Sequence, residues 1–171
     1  MKTQTAELTD RLEAMTPGRA RQIPVPAEVR SLSRLSRIDY EDAFVVEAGP
    51  EHRDWSGEEW ARAMIEGAPA EVRRSLRLGW TLLGLKLGPA GSPEHVLGWE
   101  LEHSGEDHAL LVAGSRIGMP GELLLKPEGD RLLFCTFIQQ GNPLAKIVWW
   151  PVERRHRQVV PSLMGRAART A

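Results

Sequence analysis

Residues 143–171 read PLAKIVWWPVERRHRQVVPSLMGRAARTA and follow a turn signal, Gly141-Asn142-Pro143. Leu144, Val148, Val152, Val159 and Leu163 recur at steps of three, four or seven, the spacing that puts residues on one helix face. Lys146, Glu153, Arg154, Arg157 and Arg166 fall on the other side. An apolar stripe that closes a mostly β segment needs a sheet to bury it. The expectation is therefore one long amphipathic helix with residues 38–140 wrapped around it. Pro151 and Pro161 lie inside the helical pattern. Each removes a backbone donor, clashes one turn back and costs about 3 kcal/mol, which predicts a kink or a break.

Outward from that helix, the preceding residues alternate with period 2. Residues 95–103 read as a strand with Leu97, Trp99 and Leu101 on one face and Gly98, Glu100 and Glu102 on the other. Ser104-Gly105-Glu106-Asp107 is a hairpin turn, and residues 108–116 pair back. After a break at Gly118-Met119-Pro120-Gly121, residues 122–126 and 131–140 form two more strands around the turn Pro127-Glu128-Gly129-Asp130. Strands joined by short turns make an antiparallel meander, because parallel strands need long crossovers.

Two helices precede the meander. Ser56 with Glu59 three residues later is a capping box, and Trp60, Met64 and Ile65 share the face of a helix that stops at Gly67. Pro69 opens a second helix whose buried side holds Val72, Leu76, Gly79, Trp80 and Leu83, with Gly88-Pro89 at its end. Before both comes a strand over residues 40–48. Tyr40, Asp42, Phe44 and Val46 point one way along it, and Ala43, Val45 and Glu47 the other. Residues 1–15 pattern as a short helix, with Leu8, Leu12 and Met15 in line. Residues 19–37, rich in Pro, Ser and Arg, read as an irregular arm on which Val29, Leu32 and Leu35 mark a docked helical turn. The domain organisation is thus an N-terminal helix and arm, 1–37, and one α+β domain, 38–171.

Bulk properties narrow the class. A 171-residue chain suits one domain with a real core. A net charge of −1 argues against general nucleic-acid binding, which needs a basic surface. The charge is unevenly spread: +3 over residues 1–37, −9 over the middle and +5 over residues 143–171. That pattern predicts terminal segments pairing with an acidic body. The single cysteine, Cys135, rules out an intramolecular disulfide and fits a reducing cytoplasm. With no signal-like N-terminus and no apolar run of about 20 residues, the expectation is a cytoplasmic protein without a transmembrane segment.

The order strand, two short helices, antiparallel meander and long C-terminal helix resembles the helix-grip fold of the START and polyketide-cyclase (SRPBCC) superfamily. The nearer resemblance is to a bacterial subfamily of unknown function. It rests on Ile38-Asp39-Tyr40-Glu41-Asp42-Ala43-Phe44, on the helix-break-helix from Trp60-Ala61-Arg62 to Ala68-Pro69, and on the basic ending around Pro151, His156 and Arg157. The resemblance covers about residues 38–170. It implies a curved antiparallel sheet gripping the long helix, with a hydrophobic cavity between them for lipids, polyketides or similar apolar molecules.

The expected cavity lining is Phe44, Trp80, Trp99, Leu101, Val112, Arg116, Phe134, Thr136, Val148, Trp149, Val152 and His156. The chain's six tryptophans supply large apolar area with one N–H donor each, which suits an apolar ligand with a polar spot. Adjacent Trp149 and Trp150 cannot both face the sheet. His156 falls on or beside the apolar stripe, where a carboxylate or hydroxyl of the sheet would have to partner it. Binding of an apolar small molecule is the leading expectation. The alternatives are a cyclase- or aromatase-type enzyme using polar groups such as Arg116, Thr136 and Glu47, and a non-catalytic interaction module, with a homodimer as its cheapest sign. No cofactor motif is present. No metal site is expected either: His95, His103 and His108 bracket one hairpin as solvated turn-end residues, with His103 on the Trp99/Leu101 face and the neighbouring glutamates opposite.

Overall fold

The apolar runs within residues 40–47 and 131–138 form the two strands at the centre of the fold. In a computed structural model that describes residues 18–170, they are β2, Tyr40–Glu47, and β8, Arg131–Ile138, paired antiparallel with Asp42 opposite Thr136 and Phe44 opposite Phe134. The helix expected over residues 1–15 lies outside the described residues. The other strands are β1 (Ala20–Ile23), β3 (Leu85–Lys86), β4 (His95–Val96), β5 (Trp99–Ser104), β6 (Ala109–Ser115) and β7 (Gly121–Glu128). All pairings among the described residues are antiparallel, in the order β1-β2-β8-β7-β6-β5-β4, with β3 beside β6. The helices are α1 (Ala27–Arg30), α2 (Gly57–Ala61), α3 (Ala70–Leu82) and α4 (Pro143–Ala167). This is the expected α+β class, a curved antiparallel sheet with a long C-terminal helix, and it is compatible with a helix-grip fold.

Both faces of the sheet are covered, which explains why β8 reads as the nearly unbroken apolar run LLFCTFI and is buried from Leu132 to Ile138. On one face Phe44, Val46, Leu111, Leu123, Leu125 and Phe134 form the main core with α2 and the C-terminal half of α4. On the other, Ala43, Leu110, Leu124, Leu133, Cys135 and Phe137 are roofed by Ile23, Val25, Val29, Leu32, Leu35 and Ile38. The arm is therefore not irregular throughout. It contributes an edge strand, β1, and one helical turn, α1, around Val29 as the spacing predicted. Its arginines meet the acidic body: Arg30 pairs with Glu41 and Arg34 with Glu102. The buried Glu122 carboxylate accepts from Ser33 Oγ at 2.5 Å and from the Arg34 backbone N–H at 2.9 Å.

The capping box forms as read, with Ser56 Oγ accepting from the Glu59 N–H and Glu59 accepting from the Ser56 N–H. Trp60, Met64 and Ile65 are buried, and the helix loosens into a π turn over Arg62–Glu66 before Gly67. The second helix is shorter than expected. It ends at Leu82 because Gly84 takes φ +78, and the chain then forms β3 instead of a final helical turn. Val72, Leu76 and Trp80 rest half-buried on the core, while Leu78 and Leu82 face out.

Residues 95–103 are not one strand. Leu97 and Gly98 adopt φ +48 and +99, so His95–Val96 folds back on Trp99–Glu100 as a two-residue hairpin. Gly98 is required there: an added Cβ would lie 2.9 Å from Arg77 Nη1 and 3.0 Å from Leu87 Cβ. Alternation alone does not reveal such a turn, because a glycine is compatible with either face.

Asn142 caps α4 by accepting from the Ala145 N–H, and the helix runs unbroken through Pro151 and Pro161. Leu163 is buried as expected, but elsewhere the buried line is displaced by one residue from the expected stripe. Ala145, Trp149, Val160, Leu163, Met164 and Ala167 are buried, Val148, Val152 and Val159 flank them, and Leu144 is exposed. Trp149 has more apolar area to remove from water than Leu144 or Val148, so it takes the facing position. Its neighbour Trp150 is 80% exposed. Among the described residues no helix is long and apolar enough to cross a membrane.

Candidate functional site

Where α4 crosses β2 and β8, three polar residues form one layer. The register places Asp42 and Thr136 side by side, and α4 lays His156 across both. Asp42 Oδ2 is 3.1 Å from His156 Nε2, and Thr136 Oγ1 lies 3.1 Å from the same nitrogen. The Tyr40 hydroxyl donates to Asp42 Oδ2 at 2.6 Å, and Arg157 Nε donates to that hydroxyl at 3.3 Å.

Apolar clusters close the layer from both ends. On one side Phe44, Phe134 and Val160 belong to the main core. On the other Ile138, Trp149 and Met119 form a separate cluster, flanked by Tyr40, Val148 and Val152. The Trp149 ring meets Tyr40 edge-on at 4.9 Å and sits 5.4 Å from the His156 ring.

The Asp42 side chain is fully buried. Burial alone would raise its pKa, but the His156 hydrogen bond and charge, with the Tyr40 and Thr136 hydroxyls, outweigh it and hold the carboxyl below its usual value. Burial, together with the hydrogen bond to Asp42, pushes the Tyr40 phenol upward. A carboxylate at Nε2 keeps the proton on that nitrogen in the neutral ring, which leaves the lone pair on Nδ1. Asp42 Oδ1 and Trp149 Nε1 are buried without a hydrogen-bond partner.

Of the residues expected to line a cavity, Thr136, Trp149, Val148, Val152 and His156 gather here, with Phe44 and Phe134 as one wall. The others lie elsewhere. Trp80 and Trp99 form an edge-to-face pair at 5.6 Å against the main core, and Leu101 packs half-buried beside them. Val112 lies on the opposite face of the sheet, with the arm-covered cluster. The side-chain alternation of β6 puts it there, one residue out of step with Leu111 and Ala113. Arg116 is exposed just beyond β6, its N–H bonded to the Gly84 carbonyl, and Glu47 ends β2 away from the layer. Asp42, Tyr40 and Arg157 were not among the expected site residues. The signal for Asp42 was a charged residue on the inward face of an otherwise apolar alternation.

The outer side of α4 differs in character. Leu144, Ile147 and Trp150 are exposed, and an open depression of about 430 Å³ is lined by Trp150, Glu153, Arg154, Arg157 and Gln158. All five residues come from α4 itself, and of them Arg157 also reaches the layer through the Tyr40 hydroxyl.

The meander histidines also depart from expectation. His95 Nδ1 lies 3.2 Å from Ser92 Oγ, but the His103 and His108 rings stack at 4.3 Å instead of standing in solvent. Cys135 is buried, as its mid-strand position implied.

No family model matches the chain, and neither a curated protein nor a solved structure matches it.

Proposed function

We propose that this protein binds an apolar small molecule bearing one hydrogen-bonding group, such as a lipid or polyketide-like compound, in the seam between α4 and the sheet. The observation that carries the reading is a polar layer with unmet bonding capacity held between two apolar clusters. Asp42 Oδ1 and Trp149 Nε1 are each buried without a partner, at a cost of about 1–3 kcal/mol apiece. A ligand hydroxyl donating to Asp42 Oδ1, or a hydroxyl or carbonyl accepting from Trp149 Nε1, offsets that cost, while the Phe44, Phe134 and Trp149 side chains receive its apolar body. The resemblance to the helix-grip superfamily supports the same location. So does α4 itself: Pro151 and Pro161 remove the donors that would meet the Ile147 and Arg157 carbonyls, and they bracket His156. Each missing bond weakens α4 locally, one before and one after His156, which would ease a shift of the helix to admit a ligand.

Nuclear magnetic resonance titration with 1-naphthol, and with naphthalene as its hydroxyl-free counterpart, tests the reading. Binding in the seam moves the Trp149 indole and His156 imidazole signals, and naphthol binds more tightly than naphthalene. Shifts confined to Trp150 and Arg154, or no saturable shift with either probe, overturn it.

One observation favours a cyclase- or aromatase-type enzyme as a second reading. Asp42 and Thr136 hold His156 by Nε2, and no protein partner meets Nδ1 among the described residues. An oriented imidazole with a lone pair available is a general base in form. Turnover of a polyketide-like thioester that His156→Ala abolishes, in a variant that still binds 1-naphthol, would support it. Retained turnover in that variant would remove it.

A further inference from the structure

The β5–β6 hairpin brings together a group that the alternation of its strands would separate. Leu101 pairs with Leu111, but His103 pairs with Leu110, so Glu102 is an extra residue in β5. Such a bulge reverses the facing of the residues beyond it. His103 therefore leaves the Trp99/Leu101 side and joins the Leu110 side, the face that the alternation of β6 also gives His108, two residues before Leu110. The two imidazoles stack at 4.3 Å with an interplanar angle of 22°. Asp107 completes the group: one ligand atom from each of His103, Asp107 and His108 lies within 4.8 Å of the other two.

His103 Nε2 and His108 Nδ1 are buried, and neither has a hydrogen-bond partner. His108 Nδ1 is 3.1 Å from Asp107 Oδ1, without the alignment of a hydrogen bond. Two buried, unpartnered imidazole nitrogens beside a carboxylate that is 74% exposed form a lone-pair cluster open to solvent on one side. The turn is shaped to leave His103 room, since a Cβ on Gly105 would sit 2.7 Å from its Nε2. The hairpin is also held in place. Ser104 Oγ donates to Glu58 Oε2 of α2 at 2.7 Å, and the bulge residue Glu102 pairs with Arg34 of the arm.

We infer that this hairpin binds one borderline divalent cation, of which zinc is the representative, through His103 Nε2, His108 Nδ1 and the Asp107 carboxylate. Two imidazoles and one carboxylate are a donor set suited to zinc, nickel or copper and poorly suited to magnesium or calcium. Tetrahedral zinc with bonds of about 2.0–2.1 Å needs its donors about 3.4 Å apart. Side-chain rotation at the hairpin tip covers that difference. Three protein ligands leave the fourth position to water.

The test uses the full chain, untagged and stripped with a chelator, titrated with Zn²⁺ alone by calorimetry while imidazole resonances are followed. The expected result is one equivalent bound, with the His103 and His108 signals shifted and His95 unmoved. His103→Ala, His108→Ala and Asp107→Asn each weaken binding about tenfold or more, whereas His95→Ala leaves it unchanged. Gly105→Ala keeps all three ligands and crowds His103 Nε2, so it too weakens binding, with circular dichroism reporting that the fold is retained. Absence of Zn²⁺ uptake by the parent chain overturns the inference. Undiminished affinity in folded His103→Ala or His108→Ala protein overturns it equally, and Mg²⁺ competing at equal concentration would contradict the assigned metal class.

Discussion

Asp42 Oδ2 and His156 Nε2 lie 3.1 Å apart, and this contact, beside that of Arg157 with the Tyr40 hydroxyl, joins the second strand to the C-terminal helix. The folded state holds the Asp42 carboxyl below its usual value, which fixes the sign of its contribution. Stability from this group is present above the unfolded carboxyl pKa of about 3.9 and is lost as pH falls through the lower folded value. Losing a hydrogen bond to a buried carboxylate costs about 1.5–3 kcal/mol. Asp42→Asn is therefore expected to lower the urea midpoint strongly at pH 7 and to flatten the acid limb of the stability profile. A parent-like midpoint at pH 7 would show that the pair contributes little.

Cys135 gives the opposite slope. Burial, reinforced by the Asp42 charge, pushes its thiol up from 9.0 to about 12. Between those values the folded state keeps a proton that the unfolded state releases, so stability falls as pH rises above about 9. Cys135→Ala is expected to remove that slope in alkaline urea titrations. In the parent, a thiol reagent at pH 8 should react only after denaturant is added.

Pro151 withholds a donor from the Ile147 carbonyl in an exposed stretch of α4. Pro151→Ala restores the bond and is expected to stabilise the fold by up to about 3 kcal/mol, read from thermal or urea unfolding. If the loosened helix admits the ligand, the same variant also takes up 1-naphthol more slowly in stopped-flow fluorescence.

Gly98 carries φ +99 against Arg77 and Leu87. Gly98→Ala strains the turn and crowds both neighbours, an expected loss of about 1–3 kcal/mol in urea unfolding. Gly91, at φ +79 with nothing within 4 Å of an added Cβ, is the control. Gly91→Ala incurs only the backbone cost, about 1 kcal/mol.

Much of the architecture was legible because burial imposes periodicity. The apolar runs within Tyr40–Glu47 and Arg131–Ile138 mark strands, Ser56 and Glu59 announce a helix start, and the C-terminal stripe demands a sheet. Features that break a period were not legible. The Leu97-Gly98 turn hides inside an alternation that reads straight through it, and the bulge at Glu102 reverses every facing after it. The α4 stripe was misread by one residue because counting positions does not weigh an indole against a leucine. For the site, His156 and Thr136 were visible as polar residues at inward positions, and the need for a sheet carboxylate or hydroxyl was visible with them. That Asp42 is the carboxylate depends on the pairing of β2 with β8 and on where α4 crosses them, which are long-range facts.

Native mass spectrometry of freshly purified protein, followed by extraction under denaturing conditions, tests the central claim most directly. The predicted result is a discrete additional mass on the folded chain, lost on unfolding, extracted as a mostly apolar compound with a hydroxyl or carbonyl group, and depleted in Asp42→Asn protein that remains folded. A bare polypeptide mass that also takes up no 1-naphthol when the probe is supplied would contradict the claim.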